Sequence, residues 1–328
     1  MRFKKNQISV VVPVYNCAQY IGQAVESIIR QTYRVSEILV VDDGSKDGTR
    51  EALAQYVPSI KYFYQENRGE PSARNLGVRN ALGEFIAFLD ADDLWHPEKL
   101  ELQMRCFEKH REYGFVYSDM QTFDETGIIE ESVKVSRNLD LPSGHIFKRL
   151  FKETLFGSGS VIVKRECFDK VGLFNESLLV GSDYEMWLRI CRHFEVGYVD
   201  KPLLLYRQHS NMATRTSGFV YSGTPWEVRA LKAILELYPE TVNELGRGAV
   251  NRRLSLAYFY PVYTHLERGD HLSARELLRH ALRYWPTNPN YYFYYLVTIL
   301  KPQQASFIRN SYSKVTKFLK LSRQVVKG

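Results

Sequence analysis

Long apolar runs are missing from this sequence. The longest candidate, Tyr291 to Leu300, falls short of the roughly 20 residues a helix needs to cross a bilayer. The basic N-terminus, Met1-Arg2-Phe3-Lys4-Lys5-Asn6-Gln7, leads into an apolar stretch that is short and already strand-like, so no signal peptide is expected. Cysteine is scarce. Cys17, Cys106, Cys167 and Cys191 are widely scattered and form neither a CxxC pair nor a metal-ligand spacing. They read as reduced thiols of a cytoplasmic protein. No GxGxxG follows the first expected strand, which argues against a dinucleotide-binding half. Acids are missing from residues 301–328, which hold seven of the 44 bases. That leaves 37 bases to set against all 37 acids, so the net charge of +7 belongs to this tail. A nucleic-acid-binding surface on the body is excluded as an expectation.

What is present is ordinary in bulk, 45% hydrophobic and 25% charged, and ample for a real core. One stretch stands out. Phe85-Ile86-Ala87-Phe88-Leu89 is apolar on both faces and runs straight into Asp90-Ala91-Asp92-Asp93. An unalternating run of this length predicts a buried strand of a parallel sheet. Its end is then the carboxyl edge, where open α/β sheets bind ligands. Acids crowded there repel one another unless a cation sits among them. A hard divalent ion on a phosphorylated substrate fits, since such ions take oxygen from one or two carboxylates and from phosphates. The plainer reading is a turn, with Asp93 capping a helix that begins in Leu94-Trp95-His96-Pro97.

Along the chain, strands are expected at Ile8–Val14, Glu37–Val41, Ile60–Tyr64 and Phe85–Leu89. Helices are expected at Ala18–Arg30, after Asp47 through Tyr56, at Ser72–Ala81 and at Pro97–Lys109. Further strands are expected at Phe115–Asp119, Val161–Val163 and Leu203–Arg207. This alternation predicts a doubly wound α/β layer with a mainly parallel sheet. Parallel strands bring their ends to one edge: Tyr15 and Asn16, Asp42 and Asp43, and Asp90 to Asp93. Residues 120–156 are polar and hard to read. Phe156-Gly157-Ser158-Gly159-Ser160 is expected to be a flexible loop, either a plain turn or a close approach to a ligand.

Five blocks in this order resemble glycosyltransferase family 2, with its GT-A fold. They are Val11-Val12-Pro13-Val14-Tyr15-Asn16; Val40 to Thr49; Asn67-Arg68-Gly69 with Ala73-Arg74-Asn75-Leu76-Gly77; Phe88 to Asp93; and Gly181-Ser182-Asp183-Tyr184-Glu185-Met186-Trp187-Leu188-Arg189 with Tyr206 to Asn211. The resemblance covers about residues 6–215. It implies a metal-dependent, inverting enzyme that moves a sugar from a nucleotide-sugar, a UDP-sugar first of all, to an acceptor hydroxyl. The acceptor expected is a lipid-linked or cell-surface polysaccharide intermediate. Pro13, Tyr15, Asn16, Asp42, Arg74, Asp90, Ala91 and Asp92 would bind the donor. Tyr15 would stack on the base, Asp42 accept its imide N–H, and Asp90 hold the ribose side. Asp92, with His209, would hold Mn²⁺ or Mg²⁺. Arg74 would meet a base carbonyl or the diphosphate, or else pair with Glu70 on the helix surface. Asp183 would be the catalytic base, or an N-cap, or both if one oxygen stays free. His209 carries a structural alternative too. The family's Glu-Asp pair here reads Ser182-Asp183, which leaves the first position without a role.

The catalytic domain is expected over residues 1–215, with a donor half to about 119 and an acceptor half from 120. A helical extension follows over 216–328. Residues 212–224 read as a loop able to close over the donor. Leu256 to Pro286 resemble one tetratricopeptide-like helix pair. Residues 307–326 place Phe307, Ile308, Tyr312, Val315, Phe318 and Leu319 on one helical face and bases on the other. Such a helix either meets an anionic membrane, placing the protein peripherally on the inner face of the cell membrane, or packs on the body. The rival to an enzyme is a non-catalytic nucleotide-sugar-binding or scaffold protein acting through its helical region.

Overall fold

The computed structural model describes residues 4–210 and 224–299. The chain divides into two compact units, between residues 212 and 213.

The first unit grows from strand β1 (Lys4–Val14), whose Ile8, Val10, Val11 and Val12 are fully buried. Residues blocked on both faces have to lie inside a sheet with layers on each side. Helix α1 (Ile21–Ile29) packs Ile21, Ala24, Val25 and Ile28 inward at helical spacing. Then come β2 (Glu37–Asp42), α2 (Thr49–Leu53), β3 (Lys61–Tyr64), α3 (Glu70–Asn80) and β4 (Gly83–Phe88). Helix α3 starts two residues before the expected Ser72, because Gly69, at φ 90°, turns the chain and Pro71 fits the first turn. β1 pairs in parallel with β2 on one side and β4 on the other, and β2 pairs in parallel with β3. The chain thus steps outward from β1 to β3 and returns to the far side of β1 for β4. That reversal opens a crevice beyond the carboxyl ends of β1 and β4.

Beyond β4 the sheet is mixed. The elements are β5 (Leu94–Trp95), α4 (Lys99–Lys109), β6 (Tyr113–Asp124), β7 (Gly127–Glu130), α5 (Val133–Ser136) and α6 (Phe147–Lys152). A tight 3-10 turn at Ser158–Ser160 leads to β8 (Ile162–Lys164), α7 (Arg165–Val171), α8 (Ser182–Cys191) and β9 (Glu195–Arg207). β8 runs antiparallel to both β4 and β6, β6 is parallel to β9, and β9 is antiparallel to β5. Among the described residues the order is β3-β2-β1-β4-β8-β6-β9-β5, with β7 as a hairpin on β6. Asp93 caps no helix, since β5 follows it and α4 starts only at Lys99. Trp187 is fully buried among Phe88, Phe115 and Phe174, so it is core and not cleft wall. Glu185 and Arg189 pair at 2.8 Å, one helical turn apart, and Arg189 also donates to the carbonyls of Val171 and Leu173. This ties α8 to the bend before it.

The second unit is helical: α9 (Trp226–Leu237), α10 (Thr241–Leu245), α11 (Arg247–Glu267), α12 (His271–Tyr284) and α13 (Pro289–Val297). α11 and α12 occupy the stretch expected to form a tetratricopeptide-like pair. Asp270 caps α12 by accepting from Ser273 N–H at 3.1 Å. Among the described residues no helix is long and apolar enough to cross a membrane. The basic amphipathic segment over 307–326, and all but the last residue of the loop over 212–224, lie outside the described residues.

Candidate functional site

At the β2 end, Asp42 is buried and both its oxygens are engaged. Oδ1 accepts from Ser45 N–H at 2.8 Å and Oδ2 from the Tyr62 hydroxyl at 2.7 Å. Burial, then the Asp42 carboxylate, raises the Tyr62 phenol above its usual range, so it stays a donor. A carboxylate has about four lone-pair positions, so a base imide reaching Asp42 would share it with these two donors. Asp43 instead organises the approach to α3, accepting from Gln65 Nε2, Arg68 N–H and Gly69 N–H. Asn16 adopts φ 48°, and its Oδ1 accepts from Lys46 N–H at 2.7 Å. Gly44 completes this turn at φ 84°, where a Cβ would collide with the backbone of Asn67. Tyr15 is 49% exposed at the mouth, and Pro13 is buried in β1 behind it.

At the β4 end the arrangement is ionic. The Arg74 side chain is 3% exposed, and its Nη2 contacts both Glu70 Oε1 and, at 3.0 Å, Asp90 Oδ1. The Glu70 pairing weighed for Arg74 is thus present, and the same nitrogen also meets Asp90. Its buried Nε has no hydrogen-bond partner among the described residues. Packing lifts the Glu70 carboxyl above its ordinary range, Arg74 opposes this, and Asp90 and Asp183 add to it. The 47% exposure of the Glu70 side chain tempers the effect of packing. Ala91 is buried behind the acids.

Next to this pair, Asp92 Oδ2 lies 3.0 Å from His209 Nε2, whose ring packs 4.8 Å from Tyr20. Arg207 makes the meeting possible. Its backbone N–H donates to Asp93 Oδ1 at 2.9 Å, its Nε to the Asp92 carbonyl at 2.7 Å, and its Nη2 to Gln23 Oε1 at 2.7 Å. Its guanidinium lies over the rings of Tyr20 and Phe123. Asp93 is fully enclosed. Burial first, then Asp92 and Asp90, push its carboxyl well above the usual range, and the Arg207 N–H only partly offsets this. It is a structural acid that joins the end of β9 to the β4 loop.

Asp183 stands in the first turn of α8, which starts after Gly181 in the left-handed region. Its Oδ1 accepts from Tyr184 N–H at 2.8 Å and its Oδ2 from the Ser158 hydroxyl at 2.9 Å. It is half-buried and close enough to Glu70 and Arg74 to act on both charges. The N-cap alternative does not hold: Gly181 takes that position, with no side-chain cap bond, and each oxygen of Asp183 already accepts one donor, so a base role would use the remaining lone pairs.

Sequence reasoning missed Arg207, Tyr62 and Ser158 and gave Glu70 only a surface role. A strand arginine between a Tyr and a Gln, next to an expected ligand histidine, was the one signal available for Arg207.

Among the described residues no group of three or more His, Cys, Asp or Glu is placed to hold a metal ion. Asp92 and His209 offer one oxygen and one nitrogen on the rim of the crevice. That donor set fits an ion which takes its other ligands from substrate phosphates and water.

A mixed α/β sheet with acids and a buried arginine at its switch point defines a GT-A type of fold. The structure of S. aureus TarS 1-349 in complex with UDP-GlcNAc shares it, with a TM-score of 0.62 at 18% identity over 84% of this chain and 81% of that one. The family model "Glycosyl transferase family 2" matches residues 9–172, and the chain belongs to that family. An uncharacterized glycosyltransferase of Rickettsia conorii, RC0461, is 33% identical over 211 residues, 63% of this chain and 35% of that protein. The chain thus spans about a third of that relative's length. The UDP-Glc:alpha-D-GlcNAc-diphosphoundecaprenol beta-1,3-glucosyltransferase WfgD of Escherichia coli is 30% identical over 195 residues, 59% of this chain and 73% of the relative.

Proposed function

We propose that this protein is an inverting, metal-dependent glycosyltransferase that moves a sugar from a UDP-sugar to a hydroxyl of a lipid-linked polysaccharide intermediate. The observation that carries this is the convergence, beside β1 and β4, of Arg74 bridging Glu70 and Asp90, with the Asp92–His209 pair and Asp183 close by. Tyr15 and Asp42 take the uracil ring, one by its face and one by its imide N–H. Arg74 puts a fixed cation, hardly solvated, toward the diphosphate. Asp92 and His209 would hold Mn²⁺ or Mg²⁺, which would supply Lewis-acid neutralisation of the leaving diphosphate. Asp183 accepts the proton of the acceptor hydroxyl. The hydroxyl oxygen bonds to the anomeric carbon, and the bond to the diphosphate breaks with its electron pair, inverting the centre. Support for the lipid-linked acceptor comes from the diphosphoundecaprenol acceptor in the name of the E. coli relative, so the site of action proposed is the inner face of the cell membrane.

The test is thermal unfolding with UDP, dTDP, GDP and NAD⁺, each with Mn²⁺ and with chelator. A ligand that binds only the folded state raises the midpoint. UDP with Mn²⁺ is expected to raise it, and UDP with chelator to raise it less. No response to any nucleoside diphosphate would sink this reading. Asp183→Asn is expected to keep the UDP response and to lose at least about 100-fold in transfer, the scale of general-base catalysis.

A further inference from the structure

The Gly157-Ser158-Gly159-Ser160 run was expected to be a flexible loop, yet Ser158, Gly159 and Ser160 are buried in a tight turn clamped from three sides. Trp95 Nε1 donates to the Gly159 carbonyl at 2.8 Å. Gln103 Nε2 donates to the Ser160 carbonyl at 2.8 Å and to the Val116 carbonyl at 3.0 Å. Ser160 Oγ closes the turn on the Gly157 carbonyl at 2.8 Å. On the third side Gly159 lies so close to Leu204 of β9 that a Cβ there would collide with it. Behind the clamp, Lys99 Nζ donates to Gln103 Oε1 at 2.8 Å and sits 4.2 Å over the Trp95 ring. This turn is far more restrained than its Gly-Ser composition suggests.

The free end of this platform is the Ser158 hydroxyl, aimed at Asp183 Oδ2 at 2.9 Å. Asp183 belongs to another element, α8, where Tyr184 N–H holds its other oxygen. One restraint alone leaves a carboxylate free to swing. Two donors from two elements fix its plane and leave the remaining lone pairs in a set direction. We infer that Ser158 is a positioning residue for the base: held by the Trp95–Gln103 clamp, it orients the Asp183 carboxylate toward the acceptor hydroxyl. This deepens the transferase reading and rests on it. A misplacement of the order of 1 Å at a reacting group costs up to about 100-fold in rate, so loss of one of two restraints has a sizeable effect.

The experiment compares wild type with Ser158→Ala by steady-state transfer across pH, UDP–Mn²⁺ binding and thermal unfolding. The expected result is a fall in kcat on the order of 10-fold, with UDP binding and melting temperature held. Loss of a donor to a carboxylate disfavours its ionised form, so the acid limb of the kcat–pH profile is expected to move to higher pH. Glu70 and Arg74 face the same carboxylate and are unchanged in the variant. A variant with full kcat overturns the inference, and so does a lowered kcat with the acid limb unmoved. Should Ser158→Ala fail to fold, Trp95→Phe removes the N–H to Gly159 together with part of the buried indole ring, so its melting temperature is measured beside its pH profile. It is expected to shift the same limb to a smaller extent, and an unmoved limb there overturns the inference too. The two readings fail separately. A wild-type chain that binds no nucleoside diphosphate defeats the transferase reading, whereas wild-type transfer matched by Ser158→Ala defeats only this one.

Discussion

Lys99 is fully buried, and among the described residues no carboxylate pairs with it; it has only Gln103 and the Trp95 face. Burial holds its ammonium group well below the usual lysine range. The sign follows directly. A depressed folded-state value means stability that is present above the unfolded value and is lost as pH falls through the folded one. Lys99→Met fills similar space without the charge. It is expected to raise stability at pH 6 by about 1–2 kcal/mol after the loss of the Gln103 contact, with the gain shrinking toward pH 9. Thermal unfolding at the two pH values checks this. At this scale the sequence was legible where charge stands at a strand end: Asp42, Asp90 and Asp92 were expected at the carboxyl edge and lie there, whereas Asp183, named from block order, stands in the first turn of α8. It was illegible where a role lies in a hydrogen bond between distant residues. Ser158 meets Asp183 across 25 positions, and Arg207 meets Asp92 across 115. No local pattern encodes such a pairing.

On the transferase reading the element that sets the donor side is α3, and Gly77 sets how near it lies to β1. A Cβ at Gly77 would collide with the side chain of Val11 on β1. Gly77→Ala is expected to push α3 outward at a cost of about 1–3 kcal/mol, seen as a lower melting temperature. Arg74 sits one turn earlier on the same helix, so the stabilisation by UDP and Mn²⁺ is expected to fall as well. Unchanged values for both would mean that α3 accommodates the methyl group without moving. The elements were readable in proportion to their length and pattern. β1 to β4 and α1 stand out as β-branched or periodic runs. β8, of three residues, lies one position along from the expected Val161–Val163, whereas β5, of two residues, carries no pattern of its own and exists because β9 pairs with it. β6 runs past its expected end and β9 starts well before its expected Leu203, since polar stretches join a ladder once a partner lies alongside.

For the whole molecule, the division between residues 212 and 213 makes a direct prediction. A chain of residues 1–212 is expected to unfold cooperatively and to keep the UDP–Mn²⁺ response. Loss of that response, with the fold retained, would assign part of donor binding to the helical unit. β9 adds a consequence of a different kind. It is the last strand of its unit in the chain, yet it lies inside the sheet between β6 and β5, and its end delivers Arg207 and His209 to Asp93 and Asp92. A ribosome therefore releases every acid of the donor edge long before the segment that joins them. Until residues 195–209 emerge and thread into place, the growing chain has a gap in its sheet and no partner for Asp92. On the transferase reading, a chain that stops before residue 195 is expected to give no UDP–Mn²⁺ stabilisation in thermal unfolding.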